Sequence, residues 1–110
     1  MPIPRNLRVL DAAWAVRDEI DELLRKRGFA FPDPDQLHRA VGSISDNIAE
    51  GFGRGPGRDR SRFLRIARAS AEETINHLRR ALKWGAIDQK TFWHFQNRIV
   101  SITRMLNALM

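Results

Sequence analysis

The chain has 110 residues, enough for one hydrophobic core but too few for two, so we expect a single domain over residues 1–110. Its net charge is +6, 16 of its 19 basic residues are arginines, and it contains no cysteine, which excludes a disulfide framework and a cysteine nucleophile. No apolar run is long enough to span a membrane, and residues 1–5 lack the apolar core of a signal peptide. We therefore expect a cytoplasmic protein.

The first predicted helix runs from about residue 6 to residue 26. Its apolar residues fall at gaps of four, three, four and three, which is helical spacing: Val9, Ala13, Val16, Ile20 and Leu23. The opposite face, which includes Arg17, is predicted to be solvated. Gly28 is predicted to end the helix, because the connector over residues 29–34 contains two prolines and cannot continue it.

The second helix is predicted to begin near residue 35, with Asp33 or Asp35 as its N-terminal cap. Its apolar stripe consists of Leu37, Val41, Ile44 and Ile48. Gly42 lies inside this helix, where glycine costs about 1 kcal/mol relative to alanine, so we expect another backbone to approach closely there. Gly51 is predicted to close the helix in the left-handed conformation that favours glycine.

A glycine-rich segment over residues 51–57 separates this helix from the longest one, predicted from about Asp59 to Trp84. Gly85 is predicted to end the third helix, and Asp88 to cap a fourth. The two apolar stripes are Leu64, Ala67, Ala71, Ile75, Leu78 and Leu82, then Phe92, Phe95, Ile99, Ile102, Leu106 and Leu109. Four amphipathic helices with short connections predict an all-α, antiparallel, up-down-up-down four-helix bundle with left-handed packing.

Two strings of residues flank the glycine-rich segment and resemble a known family. They read Gln36-Leu37-x-Arg39-Ala40-x-x-Ser43-Ile44-x-x-Asn47-Ile48-Ala49-Glu50-Gly51-x-Gly53-Arg54 and Phe63-Leu64-x-Ile66-Ala67-x-x-Ser70-x-x-Glu73. Together they resemble the four-helix-bundle family of proteins encoded in intervening sequences of bacterial 23S rRNA genes. The accessory variability protein of diversity-generating retroelements is a distant relative of that family. Ala71 and Thr74 depart from the family pattern, which has leucine and an apolar residue at these places.

The resemblance implies a small bacterial bundle that assembles into a ring, typically a homopentamer, with a basic surface. Most members of the family have no demonstrated activity. The retroelement relative binds a reverse transcriptase and nucleic acid. The resemblance thus implies a homo-oligomer, with nucleic acid or a protein as a further partner.

The polar and glycine residues of the two strings form a predicted structural motif: Ser43, Asn47, Glu50, Gly51, Gly53, Ser70 and Glu73. If the second and third helices are antiparallel, Ser43 or Asn47 of the second would lie near Ser70 or Glu73 of the third. We favour a polar layer that fixes helix register, with Arg39 or Arg54 neutralising the acids. A pocket for a small polar ligand is the alternative. Glu50 and Glu73 could form a catalytic pair of carboxylates, but no histidine or metal ligand accompanies them in the motif. We therefore expect that the protein is not an enzyme.

Histidines give no sign of a metal site. Glu73 and His77 are four residues apart, whereas the di-iron bundle signature needs glutamate and histidine three apart, twice. His38 and His94 stand alone in the sequence. The glycine-rich segment follows a helix and lacks the Gly-Lys-Ser/Thr ending of a phosphate-binding P-loop. We therefore expect neither a metal nor a cofactor.

The excess positive charge is concentrated between residues 51 and 68, where six arginines face one aspartate, a net +5. We call these arginines the arginine surface: Arg54, Arg58, Arg60, Arg62, Arg65 and Arg68. A solvated helix start would account for them, but clustered cations at a helix N-terminus oppose its dipole and each other, which favours an anionic partner. No aromatic ladder interleaves them and Phe63 is expected to pack inward, so phosphate contact is favoured over base reading.

Two functional hypotheses follow from these features. The first is a non-enzymatic, ring-forming bundle, with a pentamer favoured, that binds RNA, or an RNA–DNA hybrid, through the arginine surface. The second is a protein-interaction scaffold or accessory subunit that docks a partner such as a reverse transcriptase, with nucleic-acid contact secondary. Trp14, Trp84 and Trp93 fit either the core or a subunit interface.

Overall fold

The computed structural model describes residues 4–110, and for residues 5 and 6 it describes the backbone only. The chain forms α1 (Arg5–Arg27), a short 3-10 turn (Gly28–Ala30), α2 (Pro34–Gly53), α3 (Arg58–Trp84) and α4 (Gln89–Leu109), and residues 4–110 contain no strand. The prediction that residues 1–5 are not part of a signal peptide falls mostly on residues 1–3, which lie outside the described residues. No helix in the described part of the chain is long and apolar enough to cross a membrane.

The four helices surround one core. α1 and α3 each pack against both α2 and α4. Arg17 of α1 contacts Asp46 of α2, and Asp21, later in α1, contacts His38, earlier in α2. This order shows that α1 and α2 are antiparallel. The predicted all-α class is confirmed, while the up-down-up-down order of all four helices and their left-handed packing stay predictions.

The predicted apolar stripes supply the core. Buried members are Val9, Ala13, Val16 and Ile20 from α1, Leu37, Val41, Ile44 and Ile48 from α2, Leu64, Ala67, Ala71 and Leu78 from α3, and Phe92, Phe95, Ile99, Ile102 and Leu106 from α4. Thr74, one of the two departures from the family pattern, is also buried. Its hydroxyl donates a hydrogen bond of 2.7 Å to the backbone carbonyl of Ser70, so the polar group is satisfied within the core.

The start of α2 differs in detail from the predicted cap. Asp33 does occupy the position before the helix, but its side chain accepts no hydrogen bond from the helix backbone. It forms an ion pair of 2.7 Å with Arg80 of α3 instead. Pro34 is the first helical residue, a position that suits proline because no N–H is required there. The aspartate therefore joins two helices rather than capping one.

The prediction that Gly51 ends α2 in a left-handed conformation is wrong. The helix continues to Gly53, and Gly51 is buried against the start of α3. A Cβ at Gly51 would lie 3.2 Å from the backbone oxygen of Arg60 and 3.2 Å from the Cβ of Phe63. The two helices approach closely at this glycine, so a Cβ there would require its neighbours to shift. The positive φ angles of the turn fall at Gly55 and Gly57.

The close backbone approach expected at Gly42 is also absent. A Cβ at that position would meet the guanidinium of Arg17, whose nearest atom would be 3.2 Å away. Gly42 therefore makes room for a side chain of α1, while Gly51 makes room for the backbone of α3.

Both ends of the α3–α4 connection follow the predictions. Gly85 ends α3 with a φ of 91°, in the left-handed region. Asp88 caps α4 by accepting a hydrogen bond of 2.8 Å from the backbone N–H of Thr91. Hydrogen bonds from the side chain and the backbone of Thr91 hold the pKa of Asp88 below its ordinary value, because they stabilise the charged carboxylate.

Candidate nucleic-acid surface

The arginine surface covers the α2–α3 turn and the first three turns of α3. Four of its members are exposed, and Arg60 and Arg68 are half-buried. The close packing of α2 and α3 at Gly51 fixes the turn, so all six arginines are presented from one end of this helix pair.

Two members of the surface have no partner within residues 4–110. Arg58 and Arg65 are exposed and lie seven residues apart, which places their α-carbons about 10 Å apart along the helix axis. Arg62 lies between them on the same side of α3, because residues three and four apart share a helix face. An extended row of positive charge therefore runs along α3.

Three further members, Arg54, Arg60 and Arg62, lie beside phenylalanine rings. The guanidinium carbons of Arg54 and Arg62 lie 5.2 Å and 4.8 Å from the ring centre of Phe63. That of Arg60 lies 5.0 Å from the ring centre of Phe52. All three distances are within the range of cation–π attraction. Phe63, expected to pack inward, is only half-buried, and its ring supports two arginines.

Two members also have polar partners. Arg54 forms an ion pair of 2.8 Å with Glu50, one turn earlier along the chain, as one of the two predicted neutralising arginines. Arg68 donates a hydrogen bond of 2.9 Å to the side-chain oxygen of Asn107 on α4. These contacts hold the two ends of the surface in place but leave both guanidinium groups charged.

Part of the predicted polar motif comes together between α2 and α3. The hydroxyl oxygens of Ser43 and Ser70 lie 2.8 Å apart. The side-chain amide of Asn47 donates hydrogen bonds to the hydroxyl and the backbone carbonyl of Ser43, at 2.9 Å and 2.8 Å. A contact of the predicted kind is therefore present, and Ser43 and Asn47 also line a cleft of about 330 Å³.

The two glutamates of the motif stay at the surface. Glu50 pairs with Arg54, and the carboxylate of Glu73 lies 3.6 Å from the imidazole of His77. Both are exposed. Of the motif's two glycines, Gly51 lies at the α2–α3 contact, whereas the space beside Gly53 is open.

Two histidines, His38 and His94, contact acids of α1. His38 lies 2.8 Å from a carboxylate oxygen of Asp21, and His94 lies 3.1 Å from one of Glu19. These contacts join α1 to α2 and to α4. Within residues 4–110 there is no group of three or more histidine, aspartate and glutamate side chains that could hold a metal ion.

Sequence reasoning missed the role of Arg17, which was assigned to a solvated face. Arg17 is half-buried, and its guanidinium donates hydrogen bonds to Ser45 and Asp46 at 2.9 Å and 3.0 Å. The same group lies 4.4 Å from the ring centre of Trp14. The signal that could have found it was Gly42, whose missing side chain leaves the space that the guanidinium fills.

The three tryptophans are exposed, so the first of their two interpretations, as core residues, is wrong. Their exposed fractions are 44% for Trp14, 66% for Trp84 and 52% for Trp93, and that of Phe29 is 93%. Large exposed aromatic side chains are enriched at protein interfaces. The alternative interpretation of the tryptophans, as interface residues, remains.

One cleft lies away from the arginine surface. It has a volume of about 570 Å³ and lies between α1 and α4, with Leu23 and Phe95 among its lining residues. Glu22 is at its edge, and hydrogen bonds from Arg25 and then Lys26 lower the pKa of this carboxyl group. None of the residues predicted for the motif or the arginine surface lines this cleft.

A solved structure shares this fold. It is the crystal structure of a protein of unknown function from the S23 ribosomal protein family of Bacteroides thetaiotaomicron. The two chains are 24% identical, the similarity covers 96% of each, and the TM-score is 0.86. At this identity the similarity shows the fold alone. No curated protein matches the chain.

The family is shown by the sequence itself. The family model described as "23S rRNA-intervening sequence protein" matches residues 5–108, which is nearly the whole chain and extends well beyond the two strings flanking the turn. The chain therefore belongs to the 23S rRNA-intervening sequence protein family.

Proposed function

We propose that this protein is a non-enzymatic RNA-binding protein of the bacterial cytoplasm that holds the phosphate backbone with its arginine surface. The observation that carries the proposal is the row of exposed arginines on α3, in which Arg58 and Arg65 have no partner among residues 4–110. Unpaired cations beside one another are unfavourable in the free protein. Phosphate groups would relieve that repulsion and accept forked hydrogen bonds from the guanidinium groups.

RNA is the favoured nucleic acid because the family takes its name from an intervening sequence of 23S rRNA. An RNA–DNA hybrid offers similar backbone chemistry. The proposal includes a ring of several copies, five being the favoured number, since the exposed tryptophans need a partner surface. Such a ring would repeat the arginine surface and add the fields of its subunits.

Charge reversal on α3 tests this function. We expect Arg58→Glu/Arg65→Glu to weaken the binding of mixed-sequence RNA by at least about tenfold at low salt, because two phosphate contacts become repulsive. For the unchanged protein, the logarithm of the binding constant should fall with the logarithm of salt concentration, by about 0.7 to 0.9 for each phosphate contacted. Fluorescence anisotropy across a salt series measures both effects.

The matched control reverses two arginines at the other end of α2 and α3. Arg39 and Arg79 are exposed and, within the described residues, have no partner. Arg39→Glu/Arg79→Glu changes the net charge equally, so we expect it to weaken binding much less. Equal loss in both variants would mean that only total charge matters. Unchanged binding by the α3 variant would refute the proposed surface.

A second candidate function is a protein-interaction scaffold that docks a partner such as a polymerase. The exposed side chains of Phe29 and Trp84 favour it, because aromatic residues of this size commonly anchor interfaces. Affinity capture from nuclease-treated lysate distinguishes the two functions. A protein partner that stays bound after nuclease treatment supports the scaffold, and a partner lost with the RNA supports the RNA-binding function.

A further inference from the structure

The aromatic rings near the arginine surface are already covered by arginines. Phe63 carries the guanidinium groups of Arg54 and Arg62, and Phe52 carries that of Arg60. Proteins that bind single strands use open aromatic faces on which successive bases stack. The two rings here are half-buried, so the packing below them and the arginines above them leave little ring face for a base.

A guanidinium that rests on a ring is still a good phosphate ligand. Its N–H groups lie in its own plane and point outward from its edges, so a guanidinium beside a ring keeps donors that a phosphate can reach. Contact with the ring also limits the conformations of a long side chain, which lowers the entropy lost when a phosphate binds. The phenylalanines therefore orient guanidinium groups.

The arrangement of charge suits a rigid backbone. Arg58, Arg62 and Arg65 follow one side of α3 over about 10 Å, and Arg54 extends the positive charge into the turn. Base-paired RNA presents its phosphates along a regular rigid path and is recognised mainly through shape and backbone contacts. A single strand is flexible and must be ordered to follow the same row.

We propose that the arginine surface takes base-paired RNA through its phosphates, with Phe52 and Phe63 supporting guanidinium groups rather than stacking on bases. This inference rests on the proposed function and deepens it by naming the class of RNA. It does not require any particular base sequence.

The first test compares two RNA probes with equal numbers of phosphates. One is a mixed-sequence duplex and the other an unstructured single strand, both titrated against the full chain at the same salt concentration. We expect the duplex to bind more tightly. Tighter binding of the single strand overturns the inference but leaves RNA binding intact. If neither probe binds, both the proposed function and this inference are refuted.

The second test uses Phe63→Leu, which keeps an apolar side chain but removes the ring. We expect it to weaken the binding of both probes by the same factor, about two- to fivefold, because Arg54 and Arg62 then lose the ring that limits their conformations before a phosphate binds. Selective loss of single-strand binding would show that the ring stacks on bases and would overturn the inference. Phe52→Leu repeats the comparison at the other ring, and circular dichroism confirms that each variant folds.

Discussion

At the scale of single residues, Glu50 opposes the arginine surface. Its carboxylate pairs with Arg54 at 2.8 Å, so one negative charge lies beside the phosphate path proposed above. We expect Glu50→Gln to strengthen RNA binding by about two- to fivefold at low salt, because Arg54 is released and a repulsive charge is removed. Anisotropy titration measures the change.

The matched control for Glu50 is Asp18→Asn. Asp18 is exposed on α1 at the cleft beside α4, and its substitution changes the net charge by the same amount. We expect it to alter RNA binding less than Glu50→Gln does. An equal gain in both variants would contradict a local role for Glu50.

Gly51 and Gly53 offer a matched pair of residues in one helix. Alanine at Gly51 would place a Cβ 3.2 Å from a backbone oxygen of α3, whereas alanine at Gly53 would meet no atom within 4 Å. Overpacking costs about 1–3 kcal/mol and outweighs a helix-propensity gain of up to about 1 kcal/mol. We expect Gly51→Ala to lower the free energy of unfolding by about 1 kcal/mol and Gly53→Ala to leave it unchanged or raised.

Urea unfolding monitored by circular dichroism tests the glycine pair. A Gly51→Ala variant as stable as Gly53→Ala would show that α3 moves away without cost. The close approach of the two helices would then not explain the glycine.

At the scale of elements, the Ser43–Ser70 contact joins α2 to α3. Ser70 is only 7% exposed, so Ser43→Ala leaves its hydroxyl without this partner, at a cost of about 1 kcal/mol. We expect Ser43→Ala/Ser70→Ala to cost less than the sum of the single changes, because both members of the pair are then removed. Thermal unfolding of all four proteins measures the coupling.

Ser101→Ala is the control for the serine pair. Ser101 is exposed on α4, and we expect its loss to change the free energy of unfolding by less than about 0.5 kcal/mol. Additive effects of the two motif serines would mean that their contact does not help to hold α2 against α3.

At the scale of the whole molecule, the exposed aromatic residues favour an assembly. The side chains of Trp84 and Trp93 are more than half exposed in the single chain, at 66% and 52%. We expect native mass spectrometry of nuclease-treated protein to give a closed oligomer, with five copies favoured. Replacing each tryptophan by alanine in turn should dissociate the assembly where that side chain is buried between copies. A monomer at all concentrations would contradict the ring.

The sequence by itself determined the helices and their inward faces. Apolar residues at gaps of three and four place one stripe on one side of a helix whatever its neighbours are, and the stripes from Val9 to Leu106 are largely buried. The end of α3 at Gly85 and the cap of α4 at Asp88 could also be predicted from the sequence, because each residue acts on its own stretch of backbone. Membership of the family follows from the sequence as well.

Only the tertiary structure decided what the glycines and arginines contact. Gly51 ends no helix, because its neighbours are backbone and side-chain atoms of α3. The partners of Arg17 lie 28 and 29 residues away, on α2. The arginine surface could be named from composition, but the rings beneath Arg54 and Arg60 depend on how α2 and α3 approach each other. Helical periodicity is local, whereas contacts between helices depend on the packing of the whole chain.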